Sequence, residues 1–290
     1  MRTFEKLVTD SFVWIQPSDP EALVVDSPNS GSNYPHDFVH ACTLDELRAE
    51  EAQYVDQLWS VAPSLGATLL LANAPRTYID YGTVLPGWLD EANGGDGEES
   101  VTNKDGEHAS SLVRNTLRSG VPIRTKELAP NEIRHRITRY YAPYHERLAQ
   151  TIAEIRARHD IVWHLTVTAV EPTAERWSDS TGQTDMADFM LGNLGGRTCS
   201  SAFAEQAAAL LRNCGYTVAF NERIESGGLI AHYGRPQNST HSLEIGIRSD
   251  LYMDPKTREL HRGYEMIRAD LALFTKNLIS LLPELALRAG

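Results

Sequence analysis

Val25-Asp26-Ser27-Pro28-Asn29-Ser30-Gly31-Ser32-Asn33-Tyr34-Pro35 is the stretch from which the rest of the chain can be read. It grows out of Ala22-Leu23-Val24-Val25, a short apolar run closed by Asp26-Ser27-Pro28. That pattern reads as a buried strand feeding a loop. Downstream, Thr43 and Glu46 have the spacing of a capping box. Leu44, Leu47, Tyr54, Val55 and Leu58 follow at helical spacing, which predicts a helix to about residue 60. Ala67 to Ala72 reads as a second buried strand and Thr77 to Asp80 as a short third.

The alternation continues along the chain. Asn131 reads as the cap of a long helix carrying Ile133, Ile137, Tyr140, Tyr144, Leu148, Ile152 and Ile155, with Pro143 breaking or kinking it. Ile161 to Val167 is the clearest strand. Ser200 or Ser201 opens an Ala-rich helix that stops at Gly215, and strands are expected over Thr217 to Phe220 and Ser242 to Ile247. A last helix runs from Tyr264 to about Leu282, with Pro283 ending or kinking it. Residues 91–109 and Glu171 to about Asp188 read as loops. Strands alternating with helices imply an α/β fold in a single domain over 1–290, with a mostly parallel mixed sheet and helices on both faces.

Composition limits the function. Of the 290 residues 41% are hydrophobic, enough for a sizeable core, and the formal net charge of -12 argues against nucleic acid. Cys42, Cys199 and Cys214 show no CxxC spacing, and an odd count does not build a disulfide framework. They read as free thiols in a reducing cytosol. No apolar run is long enough to span a membrane and no signal-peptide core is visible, so the expected location is cytoplasmic.

Many words in order tie the chain to a known family. They include Asp26-Ser27-Pro28, Ser30-Gly31, Tyr34-Pro35, Tyr54-Val55-Asp56, Pro75-Arg76-Thr77-Tyr78-Ile79-Asp80 and Tyr141-Ala142-Pro143-Tyr144-His145. Trp163-His164-Leu165, Asp188-Phe189-Met190-Leu191-Gly192, His241-Ser242-Leu243 and Leu251-Tyr252-Met253-Asp254 continue the series. From about residue 20 to 265 the chain resembles the N-formylglutamate amidohydrolase family, zinc-dependent enzymes that release formate and glutamate from N-formyl-L-glutamate. The resemblance implies a zinc-carboxypeptidase-like fold, with the site at the carboxyl ends of central strands.

The same comparison marks departures. The family's metal-ligand positions fall on Asn29, Glu51, Ala52 and Thr168, so one carboxylate survives and both histidines are replaced. The word that holds the substrate carboxylate reads Asp80-Tyr81-Gly82-Thr83, and the Pro-Tyr-Lys-Gly turn reads Arg223-Ile224-Glu225-Ser226. The family's base position is Gly246, with Glu244 nearby. Amide and hydroxyl oxygens are poor zinc donors beside imidazole and carboxylate. No tightly bound cofactor is therefore expected, although the family uses zinc. Arg76 and Arg114 match family arginines and could still draw in a small anionic ligand, such as an N-acyl amino acid.

The leading expectation is a family member whose metal binding and catalysis are lost or greatly reduced. One alternative is an active amidohydrolase rebuilt from Glu51, His164 and Glu244; another is a scaffold used only as an interaction surface. His164 and His145 are shared with the family outside its ligand set, which favours structural roles. Glu244 and Arg248 would share a strand face, and an ion pair between them is expected. His36 and His40 are four apart, but lack the neighbouring glutamate of a zinc helix. Cys199 has no evident histidine or acid partner, and Gly192, Gly195 and Gly196 match no phosphate-loop spacing.

Overall fold

The computed structural model describes residues 3–84, 112–172 and 186–289. The loop expected over 91–109, and most of the one after Glu171, lie outside these residues. An eight-stranded mixed sheet organises the described chain in the order β1-β2-β4-β3-β5-β8-β6-β7. The strands are β1 (Phe4–Val8), β2 (Phe12–Pro17), β3 (Leu23–Ser27), β4 (Thr68–Ala72), β5 (Val162–Val170), β6 (Phe189–Gly192), β7 (Val218–Phe220) and β8 (Thr240–Arg248). The four central strands, β4, β3, β5 and β8, run parallel, whereas β2 and β6 flank them antiparallel. The mostly parallel α/β expectation holds. The β1–β2 hairpin is an addition that sequence reasoning did not identify.

The central strands have two different faces. Leu23, Val25, Trp163, Leu165, Val167, Leu243, Ile245 and Ile247 belong to one apolar core. That core also includes residues of α2 (Val55–Leu58), α3 (Ala62–Leu65), α6 (Ser201–Asn213) and α8 (Gly263–Ala289). The alternate residues are Asp26, His164, Thr166, Thr168, Ser242 and Glu244, and all six are buried. Burial of so many polar groups requires partners for each, and those partners define the site described below. The second core lies on this side, around α4 (Pro130–Arg136) and α5 (Ala142–His159).

Several expected elements take a different form. The single helix to residue 60 is instead α1 (Leu44–Arg48), α2 and α3. The Ala52 N–H bonds to Asn29 O at 2.8 Å, and Tyr54 turns left-handed at φ 65. A tertiary contact thus overrides the helical spacing. Thr77 to Asp80 is a turn, because the Tyr78 and Ile79 N–H groups both close on Pro75 O. Helix α4 starts at Pro130 with Ala129, not Asn131, as its cap, and the Glu132 carboxylate accepts the Ala129 N–H at 2.7 Å. Pro143 falls in the first turn of α5, immediately after a π-turn over Ile137–Tyr141. The helical run is unbroken from Pro130 to His159, and its winding changes next to the proline, where such a π-turn accommodates a locally disturbed ladder. Pro283 does not end α8, which continues to Ala289. Ser200 caps α6 as expected, its hydroxyl accepting the Phe203 N–H. Among the described residues no helix is long and apolar enough to cross a membrane.

Candidate functional site

Parallel register brings the carboxyl ends of β3, β5 and β8 to one edge of the sheet. Thr166 stands opposite Glu244 and Thr168 opposite Gly246. Asn29, two residues beyond β3, donates through Nδ2 to Thr168 Oγ1 and to Ser226 Oγ, each at a long 3.4 Å. Its Oδ1 is buried without a hydrogen-bond partner. Gly82 closes the group: a Cβ placed on it would lie 3.3 Å from Ser226 Oγ and 3.6 Å from Asn29 Oδ1. Positions 29, 82 and 168 thus converge on one place, with Gly246 beside Thr168 in the strand register, and the donors found there are an amide and hydroxyls. Ala52 reaches it only through its backbone, and Thr83 offers a carbonyl to the Tyr141 hydroxyl at 3.0 Å. Gly246 has little room for a side chain, since a Cβ would stand 2.7 Å from Val170 Cγ2.

Glu244 is held differently from its expected pairing. Its Oε1 accepts the Glu225 N–H at 2.6 Å and its Oε2 the Ser226 N–H at 2.7 Å. Burial nevertheless pushes its carboxyl up to about 7, the two N–H groups opposing the shift. Arg248 makes no pair with it; that guanidinium bonds Asp250 at 2.7 Å and Asp188 at 3.2 Å instead. Arg248 is the last residue of β8, and its guanidinium is taken up by acids at the strand's exit.

Beside Gly82 lies a network of arginines and carboxylates. Asp80 Oδ2 receives Arg114 at 2.9 Å and Arg76 at 3.3 Å, and Asp80 Oδ1 accepts the Gly82 N–H at 3.0 Å. Glu225 pairs with Arg118 at 2.8 Å, Arg223 at 3.0 Å and Arg76 at 3.5 Å. Glu50 accepts the Arg118 N–H at 2.8 Å and faces Arg114 and Arg118 at 3.6 and 3.5 Å. Burial works against the charged form of Asp80, but Arg76 and Arg114 prevail and hold its carboxyl below the usual range; Arg118 and Arg76 do the same for Glu225. Four guanidinium groups meet three carboxylates, and Arg114 and Arg118 keep 28% and 32% of their side chains exposed. Arg76 is buried among its acids, so the two expected arginines differ in access. Glu50 and Arg118 went unnoticed in the sequence, and Glu225 stood out only as part of the Arg223–Ser226 turn, because Arg118 lies 68 residues from Glu50 and 107 from Glu225.

The remaining candidates separate. Glu51 accepts a hydrogen bond from the Tyr34 hydroxyl and lines a polar cleft of about 570 Å³ with Ser30, Arg48 and Arg258. Burial raises its carboxyl to about 7. His164 is fully buried, with Nε2 2.9 Å from Asp26 Oδ1 and Nδ1 2.8 Å from Ser242 Oγ. The Tyr144 hydroxyl donates to the other Asp26 oxygen at 2.6 Å. Serine, histidine and aspartate thus line up as in a nucleophilic triad, but Ser242 is wholly enclosed. His145 stacks on Tyr233, and burial lowers it to about 3, so it is neutral. His36 and His40 lie in a loop, and His40 Nδ1 is 2.7 Å from Cys42 O. Among the described residues no group of three or more His, Cys, Asp or Glu is placed to hold a metal ion. The three cysteines are free, and burial pushes the Cys199 thiol up to about 12, far from a reactive thiolate.

Comparison with known proteins covers the same span. The family described as N-formylglutamate amidohydrolase matches residues 21–253. The N-formylglutamate deformylase of Pseudomonas aeruginosa is 25% identical over 273 residues, covering 92% of this chain and 93% of the relative. That of Pseudomonas putida is 23% identical, covering 80% and 82%. The crystal structure of N-formylglutamate amidohydrolase from Ralstonia eutropha JMP134 superimposes with a TM-score of 0.81 at 33% identity, over 95% of this chain and 99% of that one.

Proposed function

The chain belongs to the N-formylglutamate amidohydrolase family, and we propose that it is a ligand-binding member holding no tight zinc ion and lacking the family's hydrolytic route. One observation carries this reading. The Asn29 amide lies against the Thr168 and Ser226 hydroxyls where the resemblance implies two imidazoles. Zinc hydrolysis needs strong donors, an open position for water, and a base. The donors at positions 29 and 168 do not fit such an ion. Loss of the Lewis acid removes several kcal/mol of transition-state stabilisation, and loss of the base a further ~10²–10⁴ in rate. Glu244 is a poor substitute base, because both of its oxygens already accept backbone N–H groups.

The ligand in this reading is a small anion such as an N-acyl amino acid. Its support is the part-exposed Arg114 and Arg118 at the edge of a network with one more guanidinium than carboxylate. The test is zinc content of protein purified without chelator, with deformylation of N-formyl-L-glutamate assayed under added zinc. The expected result is substoichiometric zinc and no turnover, with N-formyl-L-glutamate raising the thermal midpoint. One equivalent of zinc together with turnover would overturn the reading.

A second reading, a rebuilt hydrolase, is favoured by one feature. Glu51 and Glu244 both sit near 7, the range of a general acid or base at neutral pH. Against it, Glu51, His164 and Glu244 are each committed to separate partners. Turnover that is lost in both Glu51→Gln and Glu244→Gln would select it.

A further inference from the structure

A second cleft, of about 310 Å³, shares no lining residue with the Asn29 cluster. Its wall includes Asp37, His40, Arg124, Lys126, Glu132 and Arg136. Arg124 donates through Nη2 to Arg114 O at 2.6 Å and Asn115 Oδ1 at 3.1 Å. Its Nε and Nη1 are buried and have no acceptor. Arg136 is 3% exposed, lies 3.9 Å from the centre of the Tyr78 ring, and donates to Tyr78 O at 2.7 Å. Among the described residues neither guanidinium forms an ion pair with a carboxylate.

The cleft's acids, Asp37, Glu127 and Glu132, make no direct ion pair with either guanidinium, although the charge of Glu132 acts on both arginines and that of Asp37 on Arg136. Asp37 accepts the Tyr78 hydroxyl at 2.8 Å and is half exposed; Glu132 is exposed and tied to the Ala129 N–H. They form the rim, with the two guanidiniums deeper. Burial lowers the affinity of both arginines for their proton, Arg124 to about 10 with Arg136 adding repulsion. Two neighbouring cations with no carboxylate in direct contact, one with orphaned N–H donors, are costly for a fold to keep. Arginine and lysine side chains lining a cavity of this size are suited to an oxyanion.

We propose that this cleft is a second ligand site, taking a compact doubly charged oxyanion of the phosphomonoester class against Arg124, Arg136 and Lys126. Three cationic side chains, Arg124 and Lys126 from one loop segment and Arg136 from α4, favour a tetrahedral dianion over a planar single carboxylate. Binding draws the Arg124 guanidinium outward by a side-chain rotation, exchanging its Nη2 contacts for charge-assisted ones. The rim acids meet hydroxyl or ammonium groups on the rest of the ligand.

The test uses the whole protein and neither zinc nor deformylation. Thermal midpoint and calorimetric titration are followed with inorganic phosphate, glycerol 3-phosphate and succinate, at ionic strength held constant with chloride. The expected result is a saturable rise with both phosphates, abolished in Arg124→Gln and weakened several-fold in Lys126→Ala. No response in the wild type, an equal response in Arg124→Gln, or equal binding of succinate would overturn the proposal. Should Arg124→Gln fail to fold, Lys126→Ala decides, because that side chain is exposed; unchanged phosphate affinity there would also overturn it.

Discussion

Glu244 is an acid kept in the interior by two backbone N–H groups, and its burial has a measurable consequence. Its carboxyl is raised to about 7, so the folded chain keeps a proton that the unfolded chain has already released at lower pH. Stability from that proton is fully present below the usual carboxylate range and is lost as pH rises through about 7. A shift of this size corresponds to roughly 3 kcal/mol. Glu244→Gln keeps the shape without the charge. We expect its midpoint, relative to wild type, to improve between about pH 5 and about pH 8. Equal pH slopes in the two proteins would show that Glu244 does not titrate in this way. Glu51 has the same sign from the same cause, so a residual slope should remain in the variant.

Among the elements, α8 is the one where sequence and structure part most clearly. Leu282 and Leu285 flank Pro283 and are both buried in the apolar core. Their burial holds the helix together across a residue that removes a backbone donor and crowds the carbonyl four residues earlier. Pro283→Ala should therefore raise stability, by up to ~3 kcal/mol on the helix-interior scale, read from the midpoint of urea unfolding. A fall would mean that the proline ring itself packs. The split of the first predicted helix has a related cause. The periodicity of Leu44, Leu47, Tyr54 and Leu58 is real, but the bond between Ala52 and Asn29 lies across the chain and has no local signature. Thr77 to Asp80 misled for the opposite reason: β-prone side chains sit in a turn dictated by the Pro75 carbonyl. The β1 strand escaped notice because all five of its residues are exposed, leaving no inward face to alternate with an outward one.

At the scale of the whole molecule, strand order makes the site. Positions 29 and 168 are 139 residues apart, and 29 and 226 are 197 apart, yet each pair is in contact. If these are the vacated ligand positions, the double variant Asn29→His/Thr168→His should gain zinc affinity. We expect near-stoichiometric zinc after dialysis, compared with little in the parent. Turnover should stay low, because Gly246 lacks a base and Val170 crowds that position. A folded double variant that binds no more zinc than the parent would remove the positional assignment on which the proposed function rests.

The words from Asp26 to Asp254 were sufficient to identify the family and the α/β class, because strand and loop patterns and side-chain chemistry are local properties of the chain. They could not tell that Glu244 would bind backbone N–H groups rather than Arg248, or that His164 would be locked between Asp26 and Ser242. Nor could they show which of the many arginines would find a carboxylate and which, like Arg124, would be left without one. Hydrogen bonds and ion pairs form over a few ångströms of space, and across a parallel sheet those ångströms join segments that the sequence keeps a hundred residues apart.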